Sequence, residues 1–445
     1  MFPTTDLLPY IFIPLGILCL FRPMLLLYLF VTVPALAYIP KALGDFQEIK
    51  LLQLGSLSIY IIDYLVLIMA LIFIKTLISR KNQFFLVFSS PIAKIIVFYF
   101  AWELFIGLLS FMKGFSLQNI MRRFSGESLV FLAVLVPLID DIDRKKEKFL
   151  IFSIFLATSV VIFSLLKYGI FHEYQLTSSE TYRTLASSAV TIIIFPLCYV
   201  LFHEKPFKRH QIFFSIFIGL SILGIHFAGH RSGWIVLFFV LSAWYFLNEQ
   251  KIKLSWVPLW ACSGFIGIVL CALFVGIQPK TLTGDFLIRI YDTVDIHNQT
   301  TQERLSKWGY SVSVISQNPL LGLGRFPVYS SQSTDQNPLA RLFPELNRAP
   351  HNLIANKAVH EGVLGVLILV LFLYFIFRKR PPDDGQNKNY LRFLKIFMAA
   401  FIIYSMFNTS FSNISERQYF FIALGLLLHE EISYSFRMFQ KRRQL

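Results

Sequence analysis

The chain has 445 residues, 56% of them hydrophobic and 15% charged, which is more apolar surface than a water-soluble fold can bury. That excludes a soluble enzyme or binding module, and apolar runs of about twenty residues exclude a barrel of short alternating strands. The formal charge of +15 raises nucleic acid as a partner, but the basic residues sit in short loops between apolar runs, where they orient a membrane protein, so no nucleic acid is expected.

The first apolar runs, 7–21 and 24–39, are divided at Arg22-Pro23, and Pro34 is expected to kink the second. No cleavage site and soluble body follow, so the first run reads as a span and not as a signal peptide. Further spans are expected near 59–78, 92–112, 128–139, 149–171, 185–202, 212–227, 233–247, 256–277, 358–377, 393–407 and 419–428. Basic loops at 80–81, 144–148, 205–210, 251–253, 378–380 and 441–443 alternate along the chain and are assigned to the cytoplasmic side. The loops at 41–55, 113–127, 172–183, 230–232, 278–357 and 410–417 then fall outside, with Arg122-Arg123 as a mild exception. The fold class is therefore an all-α integral membrane bundle of about twelve or thirteen helices. It divides into N-terminal helices over 1–277, a large outer loop over 278–357 and C-terminal helices over 358–445. Cys19, Cys198, Cys262 and Cys271 lie in apolar runs without metal or redox spacing and read as small core residues.

The long outer segment is where chemistry is expected, because a loop of that length without a function is uncommon. Its stretches 285–291 and 304–310 have the pattern of short amphipathic helices on the membrane face. Asn318-Pro-Leu-Leu-Gly-Leu-Gly324 reads as a turn with close backbone approach. Downstream, Pro350 disfavours helix, Asn352 can cap, and apolar residues continue from Leu353, so His351 is expected at a helix mouth as a neutral imidazole. A structural capping histidine is the competing reading. Arg231, at the outer junction of two spans, can fork onto phosphate oxygens or merely snorkel to the interface. Arg304, Lys307 and Arg325 add positive charge on the same face; singly each reads as a solvated loop charge, and together with Arg231 they suggest a diphosphate pocket. His226 and His230 have metal-ligand spacing, but the zincin glutamate and a third ligand are missing, so no metal is expected. Asp63, Glu103 and Lys167 fall inside spans, and a structural pair of Lys167 with one of the carboxylates is the expected arrangement.

Arg304 and Trp308 in the loop, then Asn318-Pro-Leu-Leu-Gly-Leu-Gly324, then His351-Asn352 with Glu361-Gly-x-Leu-Gly365 opening a span, resemble the bacterial O-antigen ligase and O-antigen polymerase superfamily. His230-Arg231-Ser-Gly is similar to that family's arginine at the start of a span. The resemblance covers roughly the second half of the chain by motif and the whole by topology. It implies a GT-C-like inner-membrane glycosyltransferase with a periplasmic active site, needing no nucleotide sugar, cofactor or metal. The implied donor is an undecaprenyl-diphosphate-linked glycan. The acceptor is lipid A core for a ligase, the favoured reading, or a second carrier-linked glycan for a polymerase; membrane lipids complete the partners. By matching position, His351 is implied as the catalytic residue and Arg231 and Arg304 as the functional arginines, with Arg325 added to the diphosphate-binding set from local charge. The alternative from another class is a transporter or flippase with Asp63, Glu103 and Lys167 on an ion path, against which no broken helix or paired repeat is read.

Overall fold

The computed structural model describes residues 8–36, 50–54, 57–112, 126–169, 175–176, 182–183, 185, 189–202, 207–228, 231–247, 308–309, 311–313, 315–324, 352–378, 388–408 and 414–444. Its principal helices are α1 (Leu8–Phe21), α2 (Met24–Leu36), α3 (Ile61–Ser79), α4 (Lys81–Ser89), α5 (Pro91–Met112) and α6 (Leu132–Leu135). These are followed by α7 (Ile142–Gly169), α8 (Ala189–Phe202), α9 (Phe207–Ala228), α10 (Arg231–Leu247), α11 (Leu353–Arg378), α12 (Lys388–Phe407) and α13 (Ile414–Gln444). Among the described residues five helices are long and apolar enough to cross a membrane, over Ile61–Ser79, Pro91–Met112, Ile142–Leu166, Leu353–Arg378 and Lys388–Phe407, and six shorter apolar helices accompany them. The protein is an all-α, multi-pass membrane protein. The span expected at 256–277 lies outside the described residues.

The core is organised around α8. All of its residues are buried, and it packs against α7, α9, α10, α12 and α13. Burial on every side, and not apolar composition alone, makes it an interior helix. Its 14 residues rise about 21 Å, short of the roughly 30 Å hydrocarbon core, so it is enclosed by longer neighbours. The rim behaves differently. α3, α5 and α11 expose Leu67, Ile74, Phe98, Leu108, Leu367 and Val370, the apolar faces that lipid would cover.

Several polar pairs join segments that the sequence reading assigns to the same side. At one end Arg80 pairs with Asp140, and Lys146 bridges Asp143 and Glu430, joining loops read as cytoplasmic. At the other end Arg417 pairs with Glu127 at 2.8 Å, and Asn408 donates to the Ser232 hydroxyl at 2.8 Å, joining residues near the outer loops.

Several local features differ from the sequence reading. Two small antiparallel hairpins, β1 (Lys50–Leu54) with β2 (Leu57–Tyr60) and β3 (Gln175–Leu176) with β4 (Tyr182–Arg183), occupy loops expected only to be outside. The run expected as one span over 128–139 is α6 flanked by tight 3-10 turns at Leu129–Phe131 and Val136–Leu138, with Pro137 in the second. Of the two amphipathic stretches, 285–291 lies outside the described residues, whereas Trp308 and Gly309 in the second are helical. α11 starts at Leu353, five residues before the span expected from 358, because Asn352 caps it there.

Candidate active site

The start of α11 is built as its residues dictate. The Asn352 side-chain oxygen accepts from the Ala355 N–H at 3.0 Å, and its carbonyl accepts from Asn356 N–H at 2.9 Å, a capped first turn immediately after His351. The helix then runs for little more than two turns before Gly362, whose φ of 65° and ψ of −165° break it. A side chain cannot take that conformation without strain, and a Cβ there would overlap the Leu320 carbonyl.

A helix broken at membrane depth leaves backbone groups with no partner, which hydrocarbon does not tolerate. The turn ending in Gly324 supplies them. Leu323 N–H and Gly324 N–H donate to the Val359 and His360 carbonyls at 2.9 and 3.0 Å. Pro319 and Leu320 carbonyls accept from Val363 and Leu364 N–H at 2.8 and 3.3 Å. The turn enters so closely that a Cβ on Gly322, itself at φ 64°, would lie 2.6 Å from the Glu361 nitrogen. The close backbone approach read from Asn318-Pro-Leu-Leu-Gly-Leu-Gly324 is therefore present, and its counterpart is the break in α11. His360 sits at the same joint, with Nδ1 3.0 Å from the Gly324 carbonyl. A carbonyl can only accept, so Nδ1 carries the proton of that bond.

α5 also meets α11, through buried charge. Lys357 pairs with Glu103 of α5 and, at 2.5 Å, with Glu361 one turn along its own helix. Trp102 Nε1 donates to Glu361 Oε2 at 2.8 Å, and the Lys357 ammonium stands 4.7 Å from the centre of the Tyr99 ring. Glu103, Lys357 and Glu361 are all buried, a setting in which ions persist only when mutually paired and hydrogen-bonded. Glu103 thus bonds Lys357; the side chain of Lys167, the partner expected for Glu103 or Asp63, lies outside the described residues. The Asp63 carboxylate accepts from Tyr60 N–H at 3.0 Å and caps α3. Gly362 also breaks a helix that the sequence reading took as continuous, and the gap it opens is filled by the turn. Lys357 and Trp102 were not singled out from sequence; the i, i+4 spacing of Lys357 and Glu361 was the available signal for the first.

His351, Arg304 and Arg325 lie outside the described residues, and so does the side chain of Arg231, whose backbone opens α10. Ser232, next in the chain, is held by Asn408 from the end of α12. His226 is buried edge-on to Trp234 with ring centres 6.0 Å apart; His230 lies outside the described residues. Among the described residues, Asp143, His429 and Glu430 group their ligand atoms within 4.8 Å, but the Lys146 ammonium stands between Asp143 and Glu430, where a cation would sit.

The stretch that carries the broken helix, its turn and the opening of α10 has a counterpart among known families. Residues 215–370 match the family model described as O-antigen ligase. The O-antigen ligase match spans the second half of α9, all of α10, the turn and the greater part of α11, and so bears out the resemblance carried by the motifs. It supports membrane glycosyltransferase function. Glu103 and Trp102 fall outside it. No curated protein matches the chain.

Proposed function

We propose that this protein transfers a glycan from an undecaprenyl-diphosphate carrier to an acceptor hydroxyl on the periplasmic side of the inner membrane, as an O-antigen ligase with lipid A core as acceptor. The observation that supports this best is the capped, turn-braced start of α11 directly after His351, inside the stretch that matches O-antigen ligase. A helix N-terminus disfavours imidazolium and so favours a neutral ring able to take a proton.

The chemistry asks little more of the chain. The sugar-diphosphate bond is already activated, so the protein must hold two phosphates, stabilise the departing charge and remove one proton. In this reading Arg231, Arg304 and Arg325 hold the diphosphate, guanidinium groups being permanently charged and shaped to fork onto phosphate oxygens. His351 takes the proton of the acceptor hydroxyl as its oxygen bonds the anomeric carbon. The carbon–oxygen bond to the diphosphate breaks with its electron pair leaving on the carrier, and direct displacement inverts the anomeric centre.

The test is to incubate the purified protein in lipid vesicles with carrier-linked glycan and, separately, lipid A core or a second carrier-linked unit. Consumption of lipid A core with release of undecaprenyl diphosphate is expected. Consumption of the second unit instead would make the protein a polymerase, and release with neither would end the transferase reading. Arg231→Gln should raise the donor KM or lower turnover; unchanged kinetics would leave Arg231 a membrane anchor.

A further inference from the structure

We infer that Glu103 and Lys357, with Glu361 and Trp102, are positioning residues that set the angle at which the first segment of α11 presents His351, an inference that rests on the role proposed for His351 above. The break at Gly362 is what makes such a device necessary. Across a continuous helix the direction of the first turns is inherited from the rest of the rod, and here the φ of 65° cancels that inheritance. Residues 353–361 are therefore oriented only by what grips them. The turn grips them through backbone bonds to Val359 and His360. α5 grips them through the Lys357–Glu103 pair and the bond from Trp102 to Glu361.

The grip from α5 is stiff for a physical reason. A buried ammonium between two carboxylates has no water to turn to, so leaving either partner strands a charge in an apolar setting. The same neutralisation removes Lys357 from the set of cations that could hold a diphosphate, although it lies only six residues after His351. Glu103 stands 254 positions away from Lys357, in the N-terminal half and outside residues 215–370. Part of the machinery that aims the site is thus contributed by a helix beyond the matched stretch.

The test reads geometry and turnover in the same full-length protein, with the native cysteines replaced by alanine. Spin labels at Ile354→Cys and Leu108→Cys, both on exposed positions, report the angle of the first segment against α5. Labels at Leu108→Cys and Val370→Cys report α11 beyond the break as a control. Glu103→Gln is expected to shift or broaden the first distance distribution beyond its wild-type width while the control stays unchanged. It should also lower kcat by about ten- to a hundredfold with donor KM held within about threefold. The exchange Glu103→Lys with Lys357→Glu, which keeps the inventory of charges, should restore both readouts. Unchanged distances in Glu103→Gln, or changed distances with unchanged kcat, would overturn the inference. If the control pair also moves, the exchanged pair decides, and its failure to restore both distances counts against the inference. Should the wild-type protein transfer no glycan at all, the proposed function falls while the distances still establish or refute the grip.

Discussion

Replacing Gly362 by alanine probes the joint between the turn and α11 most sharply. Its backbone, φ 65° and ψ −165°, lies in a region that only glycine occupies freely, and forcing a side chain there costs about 1–3 kcal/mol. The added Cβ would also overlap the Leu320 carbonyl, so the turn must retreat. Retreat sacrifices the bonds from Val363 to Pro319 and from Leu364 to Leu320, each contributing about 0.5–1.5 kcal/mol net. Together these give a local destabilisation of about 2–6 kcal/mol, or a fall in hydrogen-exchange protection of roughly thirtyfold to twenty-thousandfold. Native-state exchange read on peptides spanning 319–324 and 359–364 is the assay. Gly107→Ala is the control, because a Cβ there meets nothing within 4 Å and alanine is the better helix former. Wild-type protection in Gly362→Ala, at amides that the control also leaves protected, would refute the packing described for this joint.

Trp102→Phe keeps the ring and removes the indole donor to the Glu361 carboxylate; a hydrogen bond to a charged group is worth about 1.5–3 kcal/mol, and a thermal midpoint equal to wild type would argue against that bond. Glu127→Gln leaves the buried Arg417 guanidinium without its ionic partner and should cost about 3–5 kcal/mol in chemical denaturation, a loss that an exposed pair would not show. The hydrogen bond from Arg80 holds the Asp140 carboxyl below the usual carboxylate range. A depressed folded pKa stabilises above the unfolded value and is lost as pH falls through the folded one, so this contribution should fade below about pH 4. Both side chains are more than a third exposed, which limits it to about 1 kcal/mol or less, and Asp140→Asn should remove that portion of the acid dependence; an unchanged acid limb would exclude the pair as its source.

What could be read from the sequence divides along a physical line. Spans were legible because hydrocarbon thickness imposes a run length. The Asn352 cap and the approach of Gly322 were legible for the same kind of reason: each follows from a residue's own backbone chemistry. The partnership of Glu103 with Lys357 was not, since a carboxylate in one span can meet any cation at the same depth, and the meeting is set by how α5 packs on α11. Gly362 gave no warning either, because a glycine within an apolar helix is ordinary and only the turn inserted against it turns the position into a break. The mixed α and 3-10 run around Pro137 was hidden by its uniform hydrophobicity, which length alone read as one span.

The most direct test of the central claim is the rate at which purified wild-type protein and His351→Ala transfer glycan from an undecaprenyl-diphosphate donor to the acceptor that the wild type consumes. Loss of a general base should lower kcat by about a hundredfold to ten-thousandfold while the protein remains folded and still binds the donor. Transfer by His351→Ala at the wild-type rate would contradict the assignment, and with it the view that the capped mouth of α11 is where the chemistry occurs.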